Sequence, residues 1–104
     1  MDARKAYGAL AAIGTRIGER ARTSGEDLRV PLRATTDAAA FRAGVRSLLG
    51  DALPAAVVDP FLDEVVTDAD WTLWKSRLLI QVRMTMEGRK PAPGHEKGKG
   101  VGRP

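Results

Sequence analysis

The sequence predicts an all-α protein, a compact bundle of four to five helices with a disordered basic C-terminal tail. Two observations lead to this fold class. Apolar residues recur at helical spacing in several segments, and Gly or Pro residues separate those segments and end the helices. The chain has 104 residues, the length of one domain. We place the helical bundle at residues 1–87 and the tail at residues 88–104.

The first helix is predicted from about residue 3 to residue 22. Its apolar residues recur at steps of three and four and form one stripe: Ala6, Leu10, Ile13 and Ile17. Gly14 and Gly18 lie beside this stripe. Glycine inside a helix costs on the order of 1 kcal/mol relative to alanine. The two glycines therefore indicate either close approach of another helix or a loosely specified helix that frays.

Residues 23–36 are predicted to form an ordered loop that lies on the core. Gly25 ends the first helix, and Pro31 disfavours the start of another. Apolar and other residues alternate between positions 28 and 32, which is a short extended pattern. Because one isolated strand cannot form a sheet, we expect a loop here.

A second helix is predicted to begin after Thr36, which is a good N-cap residue, and to end at Gly50. Its buried face consists of Phe41, Val45, Leu48 and Leu49. Arg42 and Arg46 lie one turn apart, and we place them on the exposed side. We therefore expect charge reversal at these two arginines to leave the fold intact.

A third helix is predicted to begin at Pro54 and to break at Pro60. The ring of a proline inside a helix clashes with the carbonyl group four residues earlier. Asp59 as N-cap and Pro60 at the first position would then start a short helix over residues 60–66. The buried residues of this short helix are Phe61, Leu62, Val65 and Val66.

The last helix is predicted over about residues 68–87, opened by Thr67 and Asp70 as a variant of the capping box. One of its faces carries Trp71, Trp74, Leu78 and Val82, and a second face carries Leu73, Ile80 and Met84. A helix that is apolar on two sides is either central to a bundle or partly covered by another subunit. The predicted subunit interface comprises Trp71, Trp74, Leu73, Ile80 and Met84.

The sequence offers little that could support catalysis or hold a metal ion or cofactor. It contains no cysteine, and its one histidine, His95, lies in the Gly- and Pro-rich tail. Residues 51–70 contain six acidic residues and no basic one, but they do not follow the spacing of a calcium-binding loop. Helix capping explains several of them, and docking of a basic partner surface is an alternative. We expect no enzymatic activity, no metal and no cofactor.

The sequence also predicts a cytoplasmic protein that does not enter a membrane. No apolar stretch approaches the roughly 18 residues that span a bilayer. The N-terminal segment does not resemble a signal peptide, because Arg16, Glu19 and Arg20 interrupt its apolar residues.

Basic residues outnumber acidic ones and give a net charge of +4. Cations on predicted helix surfaces and in the tail suit contact with a nucleic-acid backbone, which depends on charge rather than on base sequence. The candidates are Lys5, Arg16, Arg20, Arg42, Arg46, Lys75, Arg77, Arg83, Arg89 and Lys90. Each of them could instead be a charge that keeps the protein in solution. A helix-turn-helix reader of DNA is disfavoured, because the helix after the turn at residues 50–54 begins with apolar residues.

In size, number of helices and cysteine-free basic composition, residues 3–87 resemble the small subunits of multi-subunit CRISPR effector complexes. The resemblance implies a non-catalytic subunit of an antiviral ribonucleoprotein, present in several copies beside larger backbone subunits. Its basic faces would contact the backbone of the guide RNA and target strand, or that of the displaced strand. The alternative is a protein–protein adaptor or a phage-type structural subunit that does not bind nucleic acid.

Overall fold

A computed structural model describes residues 1–88. In this part of the chain five α-helices form one bundle, and no strand is present, as the sequence predicts. The helices are α1 (Ala3–Ser24), α2 (Arg29–Arg33), α3 (Ala38–Leu49), α4 (Ala55–Pro60), which continues into a π-helical turn (Phe61–Val65), and α5 (Trp71–Met86). The predicted tail, apart from Gly88, lies outside the described residues.

Helix α1 forms where the sequence predicts it. The carboxylate of Asp2 accepts a hydrogen bond of 2.8 Å from the backbone N–H of Lys5 and caps the first turn. Gly25, with a φ of 76°, ends the helix in the left-handed conformation that glycine adopts without strain. The predicted apolar stripe, Ala6, Leu10, Ile13 and Ile17, is buried along its whole length.

Helices α1 and α5 run parallel and pack very closely. Gly14 lies against Gln81 and Gly18 lies against Thr85, so residue numbers increase in the same direction along both helices. A Cβ atom at Gly14 would lie 2.7 Å from the Cβ of Gln81, and one at Gly18 would lie 2.5 Å from the Cβ of Thr85. The two glycines therefore mark close helix contact, the first of the two alternatives that the sequence left open.

The prediction of a loop over residues 23–36 is wrong in its central part, where α2 forms. Leu28 and Leu32 are four residues apart, so both can bury on the same side of a helical turn. Pro31 is tolerated because it is the third residue of α2, and the first N–H groups of a helix have no partner inside it. Val30 remains 59% exposed.

Helix α3 begins one residue later than predicted. The N-cap is Asp37 rather than Thr36, and its carboxylate accepts a hydrogen bond of 2.7 Å from the backbone N–H of Ala40. A carboxylate at this position also interacts favourably with the positive end of the helix dipole. The helix ends at Gly50, as predicted.

The chain does not break at Pro60, contrary to the prediction. Helix α4 passes through Pro60 and widens into the π-helical turn, in which the N–H of Val66 donates to the carbonyl of Phe61 over 3.1 Å. A wider turn accommodates a residue that has no N–H and whose ring crowds the preceding turn. Asp59 is therefore not a helix cap.

The predicted capping box before α5 is present. The carboxylate of Asp70 accepts from the N–H of Thr67 over 2.8 Å, and the N–H of Asp70 donates to the Thr67 hydroxyl over 3.3 Å. The Thr67 hydroxyl also donates to this carboxylate over 2.7 Å. This bond and, next, the one from the Thr67 N–H lower the pKa of Asp70. The helix itself begins at Trp71, three residues later than predicted.

Candidate interaction surface

One side of α5 carries large apolar side chains that the bundle does not cover. Leu73 is 48% exposed, Ile80 is 51% exposed and Met84 is half-buried. At 3.6 residues per turn, these three lie on the side of α5 opposite its buried residues, as the sequence pattern predicts. We call them the outer strip. It spans about 16 Å along the helix axis at 1.5 Å per residue.

Arg77 borders the outer strip on the side of α1. Its guanidinium lies over the ring of Tyr7, 5.2 Å from the ring centroid, and over the ring of Trp74, 5.1 Å from the centroid. Tyr7 is itself 47% exposed. The aromatic rings hold this cation in one place through cation–π attraction.

On its other side, the outer strip meets a groove between α2 and α5. The groove is lined by Arg29, Arg33, Leu79, Ile80 and Arg83. The guanidinium of Arg29 donates to both oxygens of Asp27 over 2.8 Å. This hydrogen bonding by Arg29 lowers the pKa of Asp27 to about 2. Arg33 and Arg83 are exposed, and neither lies within ion-pair distance of an acid in residues 1–88, although the charge of Arg33 helps to lower the pKa of Asp27.

Sequence reasoning missed Arg29 and Arg33 because it placed both residues in a loop. Their spacing of four residues repeats that of Leu28 and Leu32, and this pattern could have revealed a short helix. Helix α2 is what brings Arg33 into the same groove as Arg83. Arg83 was predicted from the sequence as a binding residue.

Arg42 does not lie on the exposed side of α3, contrary to the prediction. Its guanidinium donates to the carbonyl oxygens of Leu62 over 2.9 Å and Val66 over 2.8 Å. It also lies 3.7 Å from the carboxylate of Asp68. These carbonyls belong to the end of the π-helical turn, where backbone acceptors lack helical partners. Arg42 therefore supplies hydrogen-bond donors to backbone carbonyls of the bundle.

Arg46 is also held by neighbours within the bundle. It forms ion pairs with Asp63 over 3.0 Å and Asp59 over 3.1 Å. The hydrogen bonds that Arg46 donates to Asp63 and, next, to Asp59 raise the pKa of Arg46. Two acids of the 51–70 segment are therefore paired with α3, and Asp59 is not the helix cap that the sequence suggested.

Lys75 and Arg20 likewise bond to backbone carbonyls of other helices or loops. The ammonium of Lys75 donates to the carbonyls of Arg33 over 3.0 Å and Thr35 over 2.9 Å, at the end of α2. Arg20 donates to the carbonyl of Leu48 over 2.5 Å. Both cations join elements of the fold.

The other predicted nucleic-acid contacts are spread along the chain. Lys5 and Arg16 are exposed on α1, where Arg16 lies 3.5 Å from Glu19. Arg89 and Lys90 lie outside the described residues. The cations that border the outer strip and its groove are thus Arg77, Arg83 and the two arginines of α2.

Trp74 was predicted as an interface residue, and this prediction is wrong. The side chain is 8% exposed, and its ring packs edge-on against Phe61 with 5.4 Å between ring centroids. Its indole N–H donates to Asp70 over 3.3 Å. Trp71 is half-buried and contacts Phe41, with 6.2 Å between centroids. Both tryptophans pack within the bundle.

No family model matches the chain, and no curated protein or solved structure matches it either. Within residues 1–88, no three histidine or acidic side chains come together in a way that could hold a metal ion. None of the helices in that range combines the length and apolar character needed to cross a bilayer.

Proposed function

We propose that the protein is a helical subunit of a larger assembly, and that it docks onto another protein through the outer strip of α5 and the adjoining groove. The main support for this proposal is that Leu73 and Ile80 are about half exposed on a helix whose opposite face is buried. Burying apolar surface stabilises a complex by about 25 cal/mol for each Å² removed from water. A contiguous apolar strip with a polar rim is typical of an interaction site.

The composition of this surface favours a protein partner. Protein interfaces have an apolar centre, and they are enriched in arginine, methionine and aromatic residues. The outer strip supplies the apolar centre, and Arg77 with Tyr7 supplies a border of this kind. A phosphate backbone would satisfy the cations but would leave Leu73 and Ile80 without an apolar partner.

Contact with a nucleic-acid backbone is the second candidate, and one observation favours it. Helix α2 places Arg33 in the same groove as Arg83, and neither forms an ion pair with an acid in residues 1–88. Phosphates could bind there with little dependence on base sequence. The subunit role implied by the resemblance to CRISPR small subunits remains a prediction.

Site-specific photocrosslinking tests the proposal in the cell. A photoreactive amino acid replaces Leu73 or Ile80 in the full chain, and Ala40, exposed on α3, provides the matched control position. We expect protein adducts at positions 73 and 80 that exceed those at position 40.

Two other outcomes would decide against docking onto a protein. Adducts with nucleic acid at positions 73 and 80 would establish the second candidate. Adduct levels no higher than those at position 40 would contradict docking through this surface altogether.

A further inference from the structure

The geometry points to an acidic amphipathic helix as the element that docks on the outer strip. This inference rests on the proposed function, because it names the chemistry of the partner at the same surface. Its basis is the length of the strip, the placement of cations on both of its sides, and the restraint of two of those cations.

The length of the outer strip suits about three turns of a partner helix. Leu73 and Ile80 are seven residues apart, which is about two helical turns or 10.5 Å, and Met84 extends the strip by another turn. Helices that dock in this way use apolar residues at i, i+3 or i+4, and i+7 as anchors. Such a row would follow the outer strip along its full length.

The positive charges beside the strip favour acidic residues on the flanks of the partner helix. Arg77 lies on the α1 side, and Arg33 and Arg83 line the groove on the α2 side. Helix α5 itself carries no acid, and Glu87, which follows its last residue, acts through its charge on Arg29. A partner with acidic flanks would pair with these arginines, whereas a basic helix would meet like charges at the rim.

Two of the arginines are already restrained before any partner binds. The rings of Tyr7 and Trp74 hold Arg77, and Asp27 holds Arg29 through two hydrogen bonds. Restraint of this kind reduces the conformational entropy lost on binding. Arg33 and Arg83 remain as donors for acids of the partner.

The acidic segment of a second copy fits this surface poorly. Asp59 and Asp63 of that segment are bound by Arg46, and Phe61 and Leu62 are buried in the core. The segment would have to leave the bundle to present acids and apolar anchors together. The observations therefore favour a helix from a different protein.

Titration of the purified full chain with synthetic peptides tests this inference. The probe is a helical peptide of about 14 residues with leucine at helical spacing and glutamate on both flanks. A scrambled peptide of the same composition and a peptide with lysine in place of glutamate serve as peptide controls. The variants are Arg33→Glu/Arg83→Glu, the milder Arg33→Gln/Arg83→Gln, and Arg16→Glu as a matched control on α1. Circular dichroism verifies that each variant is folded.

We expect the acidic peptide to bind the wild-type chain and the Arg16→Glu variant alike. Both double variants should weaken binding at least about tenfold, which corresponds to about 1.4 kcal/mol. The lysine peptide should bind only the Arg33→Glu/Arg83→Glu variant. Equal binding of the scrambled or lysine peptide to the wild type would overturn the inference.

Two further results would also overturn it. One is tighter binding of a single-stranded oligonucleotide than of the acidic peptide at the same salt concentration. The other is self-association of the wild-type chain that the double variants abolish, which would identify a second copy as the occupant. If the acidic peptide fails while protein adducts at Ile80 persist in cells, only the inference about helix chemistry fails. Absence of those adducts would contradict the proposed function itself.

Discussion

The two sides of α5 show how one helix can carry apolar residues for different purposes. On the inner side, Trp74, Leu78 and Val82 are buried, and α1 approaches so closely that glycine is required at two positions. On the outer side, Leu73 and Ile80 are about half exposed beside exposed arginines. The inner side is covered by other helices of this chain, whereas the outer side is not covered by the described residues.

The basic residues also fall into two groups, those bonded within the bundle and those exposed beside the outer strip. Arg42, Arg46 and Lys75 bond to carbonyls or carboxylates of neighbouring elements and hold the bundle together. Arg33 and Arg83 form no such ion pair with an acid in residues 1–88. The number of basic residues on a helix therefore does not measure its capacity to bind a partner.

The inner side of α5 should be the most sensitive part of the molecule. The double variant Gly14→Ala/Gly18→Ala places Cβ atoms against Gln81 and Thr85, and forcing extra atoms into a packed contact should lower the free energy of unfolding by about 3 kcal/mol or more. Urea denaturation followed by circular dichroism measures the loss.

Gly8→Ala is the matched control in the same helix. A Cβ at Gly8 meets nothing within 4 Å, so the better helix propensity of alanine should raise the stability by up to about 1 kcal/mol. If the double variant were as stable as this control, the close packing of α1 on α5 would be refuted.

Replacement of Arg42 should have the next largest effect. Arg42→Leu leaves the carbonyls of Leu62 and Val66 without their donor, which should lower the free energy of unfolding by about 2 kcal/mol. Arg83→Leu removes an exposed cation and should change stability by less than about 0.5 kcal/mol. This prediction replaces the sequence-based expectation that charge reversal at Arg42 leaves the fold intact. Equal stability of the two variants in thermal unfolding would contradict it.

Replacement of Asp27 should have the smallest effect on the free energy of unfolding, and this effect should depend on pH. Hydrogen bonding by Arg29 lowers the pKa of Asp27 from 3.8 to about 2 in the folded chain. The stabilisation is therefore present above about pH 4 and is lost as the pH falls towards 2. We expect the difference in unfolding free energy between the wild type and Asp27→Asn to shrink over that range. A difference independent of pH would show that Arg29 does not stabilise the carboxylate.

The sequence predicts elements whose signals lie within one segment. The apolar stripe of α1 and the Thr67–Asp70 capping box are of this kind, and the structure contains both. The partners of Arg42 could not be predicted, because they lie 20 and 24 residues further along the chain. Helical periodicity indicates which side of a helix is polar, but it does not show which carbonyls another element brings there.

The candidate surface was predicted in the same partial manner. The second apolar face of α5 follows from residue spacing alone, and the structure leaves Leu73 and Ile80 exposed there. The groove could not be predicted, because α2 forms one of its sides and Pro31 led us to expect a loop there. A proline in the first turn of a helix is compatible with helix formation, and its presence gave no information about the arginines on either side.

Thiol footprinting tests most directly whether a protein partner covers the outer strip of α5, as we propose. The chain contains no cysteine, so Ile80→Cys introduces one unique thiol, and Ala40→Cys provides an exposed control. We expect the two thiols to react with an alkylating reagent at similar rates in the purified protein. In intact cells the thiol at position 80 should react far more slowly than the thiol at position 40. Similar rates at both positions in cells would contradict the claim.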